Sequence, residues 1–388
     1  MRLIHTSDWH LGRSLHGASL LGYQAEFLDW LLEQARRHQV DAVLVAGDVY
    51  DRAVPPTDAV RLLDAALLGF SRAGVPIVAT SGNHDSAIRL GFGAGLSEEA
   101  GVHLRTSVAD LDRPVLLRDA HGDVAVYGVP YLLPDAVMAE LDCARSHKAV
   151  LAAATARIRA DAAARGIGRS VILAHAFVTG AQPAESERDI RVGGIADVPA
   201  AVFGGFSYVA LGHLHGQQEI AAGDGGPVVR YSGSPLAFSF GEKNHAKSVT
   251  LAEIGAAGQV TVTKLATPVP RPLAEVRGRL DDLLARAGTE LAGLAGAWVK
   301  VVLTDPVRPP APMERLREKW PHTLVLDFAP DGGRPDADAD LVRLAAATDP
   351  AEICGLFVEF TSGGPPDEAQ RTVLRAAVEA AQQAEAAA

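Results

Sequence analysis

The chain has 388 residues, 48% of them apolar, with 38 Gly and 23 Pro, a profile that excludes a disordered chain and fits one large domain plus a smaller one. Its formal charge of −11 counts against a general polyanion binder, because such affinity comes from a basic face that releases counterions, so local Arg residues, bound cations or a partner would have to hold a DNA substrate. Cys143 and Cys354 lie far apart in no C-x-x-C pattern, which excludes a disulfide framework or a thiolate metal site and fits a reducing cytosol.

In chain order, short apolar runs predict strands at 2–6, 42–46 and 76–80, separated by helices of 3.6-residue period at 20–38 and 57–73. Further strands follow at 124–129, 170–174, 207–211 and 227–231, with a long Ala/Arg-rich helix at 144–165. The pattern is that of a layered α/β domain. Prolines in LATPVPRPL around 266–272 disfavour both helix interiors and central strands, so the first domain is read as 1–268. A smaller α+β domain, 269–362, is expected from helices at 273–287 and 311–319, strands at 297–303 and 323–328, and a loop at 330–340. Beyond the GGPP turn at 363–366, an Ala/Gln/Glu-rich helical segment, 363–388, reads as a solvated helix fraying at Ala386–Ala388. Asp8 stands too near Met1 for a cleavable leader to precede it, and no apolar run is long enough to span a membrane, so a cytoplasmic protein is expected.

Five elements carry chemistry: Asp8-x-His10, Gly47-Asp48-x-x-Asp51, Gly82-Asn83-His84-Asp85, His175 within ILAHAF, and Gly212-His213-x-His215. Each alone is a weak signal, but their order, each at the end of a predicted strand, brings them to one sheet edge. Carboxylate, imidazole and amide oxygen without thiolate suit Mn, Fe or Zn rather than a structural zinc. With seven candidate ligands, two ions can share the site. Such pairs, about 3.5 to 4 Å apart, activate a bridging water and clamp phosphoryl oxygens during in-line displacement. A bridging carboxylate is then required, and Asp48 is the candidate. His84 adjoins a ligand, and an imidazole in general titrates near neutrality, which suits a group that protonates a leaving oxygen.

The residues resemble the calcineurin-like metallophosphoesterases, and within them the SbcD branch of nuclease subunits. HTSDWHLGR at 5–13, GDVYDR at 47–52, SERDIRVGG at 186–194, YVALGHLH at 208–215 and YSGSPLAFSFGE at 231–242 carry the likeness, which extends over the chain length. The resemblance implies a metallophosphoesterase β-sandwich flanked by helices. It implies that Asp8, His10 and His215 hold one ion, that Asn83, His175 and His213 hold the other, and that Asp48 bridges. It casts His84 as the leaving-group residue, oriented by Asp85, and leaves Asp51 between a ligand-supporting and a structural role, since archaeal and eukaryotic relatives carry His there. It further implies two divalent ions, Mn above Fe or Zn, and DNA as substrate, cut by exonuclease and endonuclease action in repair, recombination and replication. ATP would act only through an SbcC ATPase partner, in an assembly with two copies of each chain. The domain beyond 270 would cap the DNA and the C-terminal segment would dock on SbcC.

Arg13, Arg52 and Arg89 follow motifs closely and are candidate contacts to the DNA backbone. His5 and Trp9 read as packing residues, while Ser232, Gly233 and Ser234 read as a turn near the second-metal side. A small-molecule or phosphoprotein phosphoesterase with the same metal site, and a scaffold with a decayed site, are the alternatives.

Overall fold

The apolar runs Ala42–Ala46, Ile77–Thr80, Ser170–His175 and Tyr208–Gly212 become strands that are buried on both faces, which is why they read as continuous rather than alternating. In chain order the strands are β1 (Arg2–Thr6), β2 (Ser14–Leu15), β3 (Ala18–Ser19), β4 (Ala42–Ala46), β5 (Ile77–Thr80), β6 (Val102–Arg105), β7 (Val115–Asp119), β8 (Gly122–Val129), β9 (Ser170–His175) and β10 (Tyr208–Gly212). They continue with β11 (Gln218–Ile220), β12 (Val228–Tyr231), β13 (Ser248–Ile254), β14 (Val260–Ala266), β15 (Leu273–Gly278), β16 (Trp298–Leu303) and β17 (Thr323–Phe328). The structure, a computed structural model, describes residues 1–184, 186–187, 190, 198–330, 343–344, 346–347, 349–362 and 364–386. The chain divides into two compact units, Met1–Pro270 and Arg271–Ala388.

The first unit is a sandwich of two six-stranded sheets, in the orders β14-β13-β1-β4-β5-β6 and β11-β12-β10-β9-β8-β7. Leu3, Leu44 and Val78 of the first sheet interleave with Val126, Leu173 and Ala210 of the second to form the middle layer of the core. Because side chains alternate across a strand, Ile4, Val43 and Ile77 face outward instead. There they meet Phe27 and Leu31 of the helix Leu21–Arg37 and Leu63 and Phe70 of the helix Thr57–Arg72. On the other outer face, Tyr127, Ile172 and Val209 pack on Val150, Ala154 and Ile158 of the helix His147–Ala164. That helix starts where Ser146 caps it, its hydroxyl accepting the Ala149 N–H at 3.1 Å.

Strands β1, β4, β5 and β6 are mutually parallel, as are β8, β9, β10 and β12. Their C-terminal ends emerge at one end of the sandwich, carrying every motif with them. Several elements differ from the sequence expectation. Strands β6, β7, β11, β13 and β14 and the helix Pro350–Ser362 were not foreseen. The helix expected over 273–287 is a strand, β15, followed by a helix only at Leu280–Arg286, because Leu273–Gly278 pairs in parallel with β16. In the second unit, order β15-β16-β17, Val299, Val301 and Leu303 pack against Leu280, Leu283, Leu316 and Trp320. The loop expected at 330–340 lies, apart from Pro330, outside the described residues, as do Ala387 and Ala388. Among the described residues no helix is long and apolar enough to cross a membrane.

Candidate metal centre

The loops after β1 and β4 run side by side, joined by the N–H groups of Asp8, His10 and Leu11 donating to the carbonyls of Gly47, Asp48 and Val49 at 2.9–3.0 Å. Asp8, His10, Asp48 and His213 all adopt positive φ, at 53°, 44°, 49° and 110°. Such backbone is costly for residues with a Cβ and marks places where function overrides local preference. The result is a buried pocket in which Asp8, His10, Asp48, His84, His175, His213 and His215 are each less than 9% exposed. Atoms of Asp8, His10 and His215 lie mutually within 4.8 Å, as do those of Asp8, Asp48 and His175, and of His10, Asp48 and His84.

The tautomers follow from what stands behind each ring. His175 Nδ1 faces the Ala46 carbonyl at 3.0 Å, which only accepts, so the proton is on Nδ1. Its bare Nε2 then points at Asn83 Oδ1, 3.0 Å away, and Asp48 Oδ2, 3.6 Å away. On the opposite side His10 Nε2 is 3.1 Å from His215 Nε2 and 3.6 Å from the same Asp48 oxygen. Ring nitrogens therefore face Asp48 from two sides, and the bare His175 Nε2 stands against two oxygen acceptors, an arrangement that repels itself unless a cation lies between them. Burial acts in the same sense. It raises the Asp8 carboxyl to about 7, with Asp48 adding to that and His175 opposing it. It lowers His215 to about 4 and His10 well below its ordinary value. Neutral imidazoles and a displaceable proton are what a divalent ion requires of its ligands.

Residues 1–217 match the family described as calcineurin-like phosphoesterase, and residues 269–360 match the type 5 capsule protein repressor C-terminal domain. The SbcD chain of the SbcCD nuclease of Escherichia coli K12 is 34% identical over 74% of this chain and 73% of that protein. The Rhodobacter capsulatus protein of the same name is 34% identical over 98% of this chain and 94% of its own length, and the Bacillus subtilis one 34% over 70% and 71%. The chain belongs to the SbcD family of calcineurin-like phosphoesterases. As a member of this family it is a metal-dependent hydrolase, and divalent metal is its class of cofactor.

Around this SbcD-type centre the structure refines several expected positions. His84 donates from Nδ1 to the Asp51 carbonyl at 2.7 Å and turns Nε2 toward the pocket, 4.0 Å from Asp48 Oδ2. Asp85, expected to orient that ring, instead accepts the N–H groups of Gly82, Val49 and Tyr50 at 2.8–3.1 Å and so ties the loop after β5 to the loop after β4. Orientation of His84 thus passes to the Asp51 backbone. The Asp51 carboxylate lies 3.7 Å from His10 Nδ1 and 3.5 Å from Arg13 Nη1. His213 donates its backbone N–H to both Asp8 oxygens, at 3.0 and 3.2 Å, and sets its ring 5.4 Å from that of His175.

Of the three arginines, Arg13 is already engaged: it donates to the Ser186 carbonyl at 3.1 Å and stacks 4.8 Å above the Phe238 ring. Arg52 is exposed beside Asp51, and Arg89 donates to the Ala53 carbonyl at the surface. The turn at 232–234 lies beside Asp8 and His215: Ser232 Oγ is 2.9 Å from Ser7 Oγ, which donates to Asp8, and Ser234 N–H donates to the His215 carbonyl. His5 is packed as expected, between Tyr208 Oη at 2.8 Å and the Leu211 carbonyl, and burial lowers it to about 3. Trp9 packs edge-on to Phe27.

Sequence reasoning assigned no role to Phe238, Glu242, Lys247, Ser186 or Glu187. Phe238 presents its ring to His10 and His215 at 5.2 and 5.3 Å, and Glu187 accepts the His215 N–H at 2.6 Å. Burial raises Glu242, but hydrogen bonding to His215 and the Lys247 charge outweigh it and hold the group below its ordinary range. The only signal for these residues was their place inside or beside the flanking motifs 186–194 and 231–242.

Proposed function

We propose that this chain is the nuclease component of an SbcCD-type complex, cleaving DNA ends and hairpins together with an SbcC ATPase. The observation that carries the metal half of this reading is the approach of His10 and His175 Nε2 to one Asp48 oxygen from two sides, with His215 Nε2 3.1 Å from that of His10. In it, Asp8, His10 and His215 would hold one ion and Asn83, His175 and His213 the other, with the Asp48 carboxylate available to either. Bound Mn would supply an activated water and the positive charge that phosphoryl transfer needs, and Fe or Zn suits the same donors. The remaining steps belong to the chain. Asp8 and the histidines fix the reacting geometry, Phe238 keeps one wall of the pocket apolar, and His84, oriented through Nδ1, acts from its doubly protonated form, passing the Nε2 proton to the departing sugar oxygen and becoming neutral.

DNA as substrate is supported by relatives named as chains of the SbcCD nuclease, one of which is matched over nearly its whole length. Partnership with an ATPase answers the acidic charge, since the partner would contribute basic surface. The 269–362 domain would cap the DNA, and the segment beyond it, whose Val373 is exposed, would dock on SbcC. Self-association into a homodimer is supported by Ile88, Phe92 and Leu96, three large apolar side chains of one short segment that are 87%, 88% and 84% exposed. We place the protein in the cytoplasm. Purified chain with Mn, assayed with and without SbcC on hairpin DNA, linear DNA and a small phosphodiester, tests substrate class. DNA cleavage that SbcC and ATP increase is expected; hydrolysis of the small ester alone would make the chain a small-molecule phosphoesterase, and no hydrolysis at all a scaffold.

A further inference from the structure

Behind His215, on the side away from the pocket, lies a string of polar groups that the metal reading does not use. His215 Nδ1 is 2.6 Å from Ser186 Oγ and 3.4 Å from Glu242 Oε1. Ser186 Oγ reaches the same Glu242 oxygen at 2.5 Å, and that oxygen also accepts the Phe238 N–H at 3.1 Å. The other Glu242 oxygen pairs with Lys247 Nζ. Lys247 places its remaining donors on the His215 carbonyl at 2.9 Å and Ser234 Oγ at 2.8 Å. Both charged groups are buried, at 1% and 6% exposure, and every donor of the ammonium has an acceptor.

The string has a direction. A carboxylate paired with an ammonium only accepts, so the Ser186 hydroxyl points at Glu242. Its oxygen is left to accept from His215, and the imidazole proton must sit on Nδ1. The bare nitrogen is then Nε2, the one that faces His10 across the pocket. We propose that Glu242 is a positioning residue of the metal centre: through Ser186 it selects the His215 tautomer that can bind an ion, and Lys247 fixes the carboxylate in place. The same groups tie the β12–β13 connection, which carries Glu242, to the loop after β10, which carries His215, so tautomer and loop position are set together. This inference rests on the reading that His215 holds one of the two ions.

The test is Mn binding to the full-length chain, followed by the electron spin resonance of free Mn, with the melting temperature of the chelated protein recorded beside it. Glu242→Gln puts an amide where the carboxylate accepted from both sides. The site that His215→Ala removes should weaken about ten- to hundredfold, as is typical when a partner behind a histidine ligand is lost. The other site should keep its affinity. Ser186→Ala should lose less, because Glu242 can still take the Nδ1 proton across the direct contact. Should Glu242→Gln fail to fold, Glu242→Leu combined with Lys247→Met removes the buried pair as a unit, a replacement that buried ion pairs tolerate, and the same one-site loss is expected. Two unchanged affinities in a folded variant, or an equal fall in both, would overturn the role of Glu242. If instead His215→Ala retains both Mn sites, the assignment of His215 as a ligand fails beneath it.

Discussion

Asp8 is where pH enters the site. In the metal-free chain burial holds its carboxyl near 7, whereas His10 and His215 are already neutral well below that. Below about pH 7 an ion must therefore displace a proton from Asp8. Mn affinity is expected to rise about tenfold per pH unit up to about pH 7 and then level off, which calorimetric titration across that range would read; a flat profile below pH 7 would remove Asp8 from the ligand set. Arg52 and Arg89 are exposed, the one beside Asp51 and the other donating to the Ala53 carbonyl, while Arg13 is held by Ser186 and Phe238. Replacing Arg52 or Arg89 by Ala should weaken DNA binding about equally for all sequences and reduce the salt slope by about one each in fluorescence anisotropy. An unchanged slope would take them off the interface. The ligand types were legible in the sequence because Asp, His and Asn follow apolar runs directly. Glu242 and Lys247 were not, since a buried ion pair leaves no periodic mark and acquires meaning only when the fold sets it behind His215.

At the level of elements, the site exists because two sheets bring their strand ends into contact. Gly212, closing β10, lies so near β4 that a Cβ there would stand 1.8 Å from the Ala46 carbonyl, and one on Gly82 would stand 2.1 Å from Asp48 Oδ1. These glycines are spacers that let ligands from different strands share a pocket. Gly212→Ala should cost about 1–3 kcal/mol by forcing the sheets apart and should abolish binding of at least one Mn, read by denaturant unfolding and metal analysis. Stability and metal content like those of the natural chain would show that the approach is not limiting. The same element logic explains what the sequence revealed. Strands β1, β4, β5, β9 and β10 are apolar on both faces and end in motifs, so both existence and function were readable. In β14 the alternation of Val260 and Val262 with Thr261 and Thr263 was present but follows no motif. Leu273–Gly278 merges into the helix-forming RLDDLLAR, and only pairing with β16 reveals it as a strand.

For the molecule as a whole, the exposed side chains of Ile88, Phe92 and Leu96 make a direct prediction about assembly. Asp at Ile88 and Phe92 together should shift the purified chain to monomer in sedimentation velocity without changing its Mn content, and a dimer that survives would place the interface elsewhere. The composition that argued against a polyanion binder acting alone, and relatives that are components of a complex, agree on a protein whose own contribution is the chemical centre. The measurement that tests this most directly is hairpin cleavage by His84→Gln, with Mn per chain determined on the same sample. His84 contacts the pocket through Nε2 and the Asp51 carbonyl through Nδ1, so its loss should leave two Mn per chain and slow cleavage about 10²- to 10⁴-fold. Cleavage by the variant at the rate of the natural chain, with both ions bound, would contradict the account.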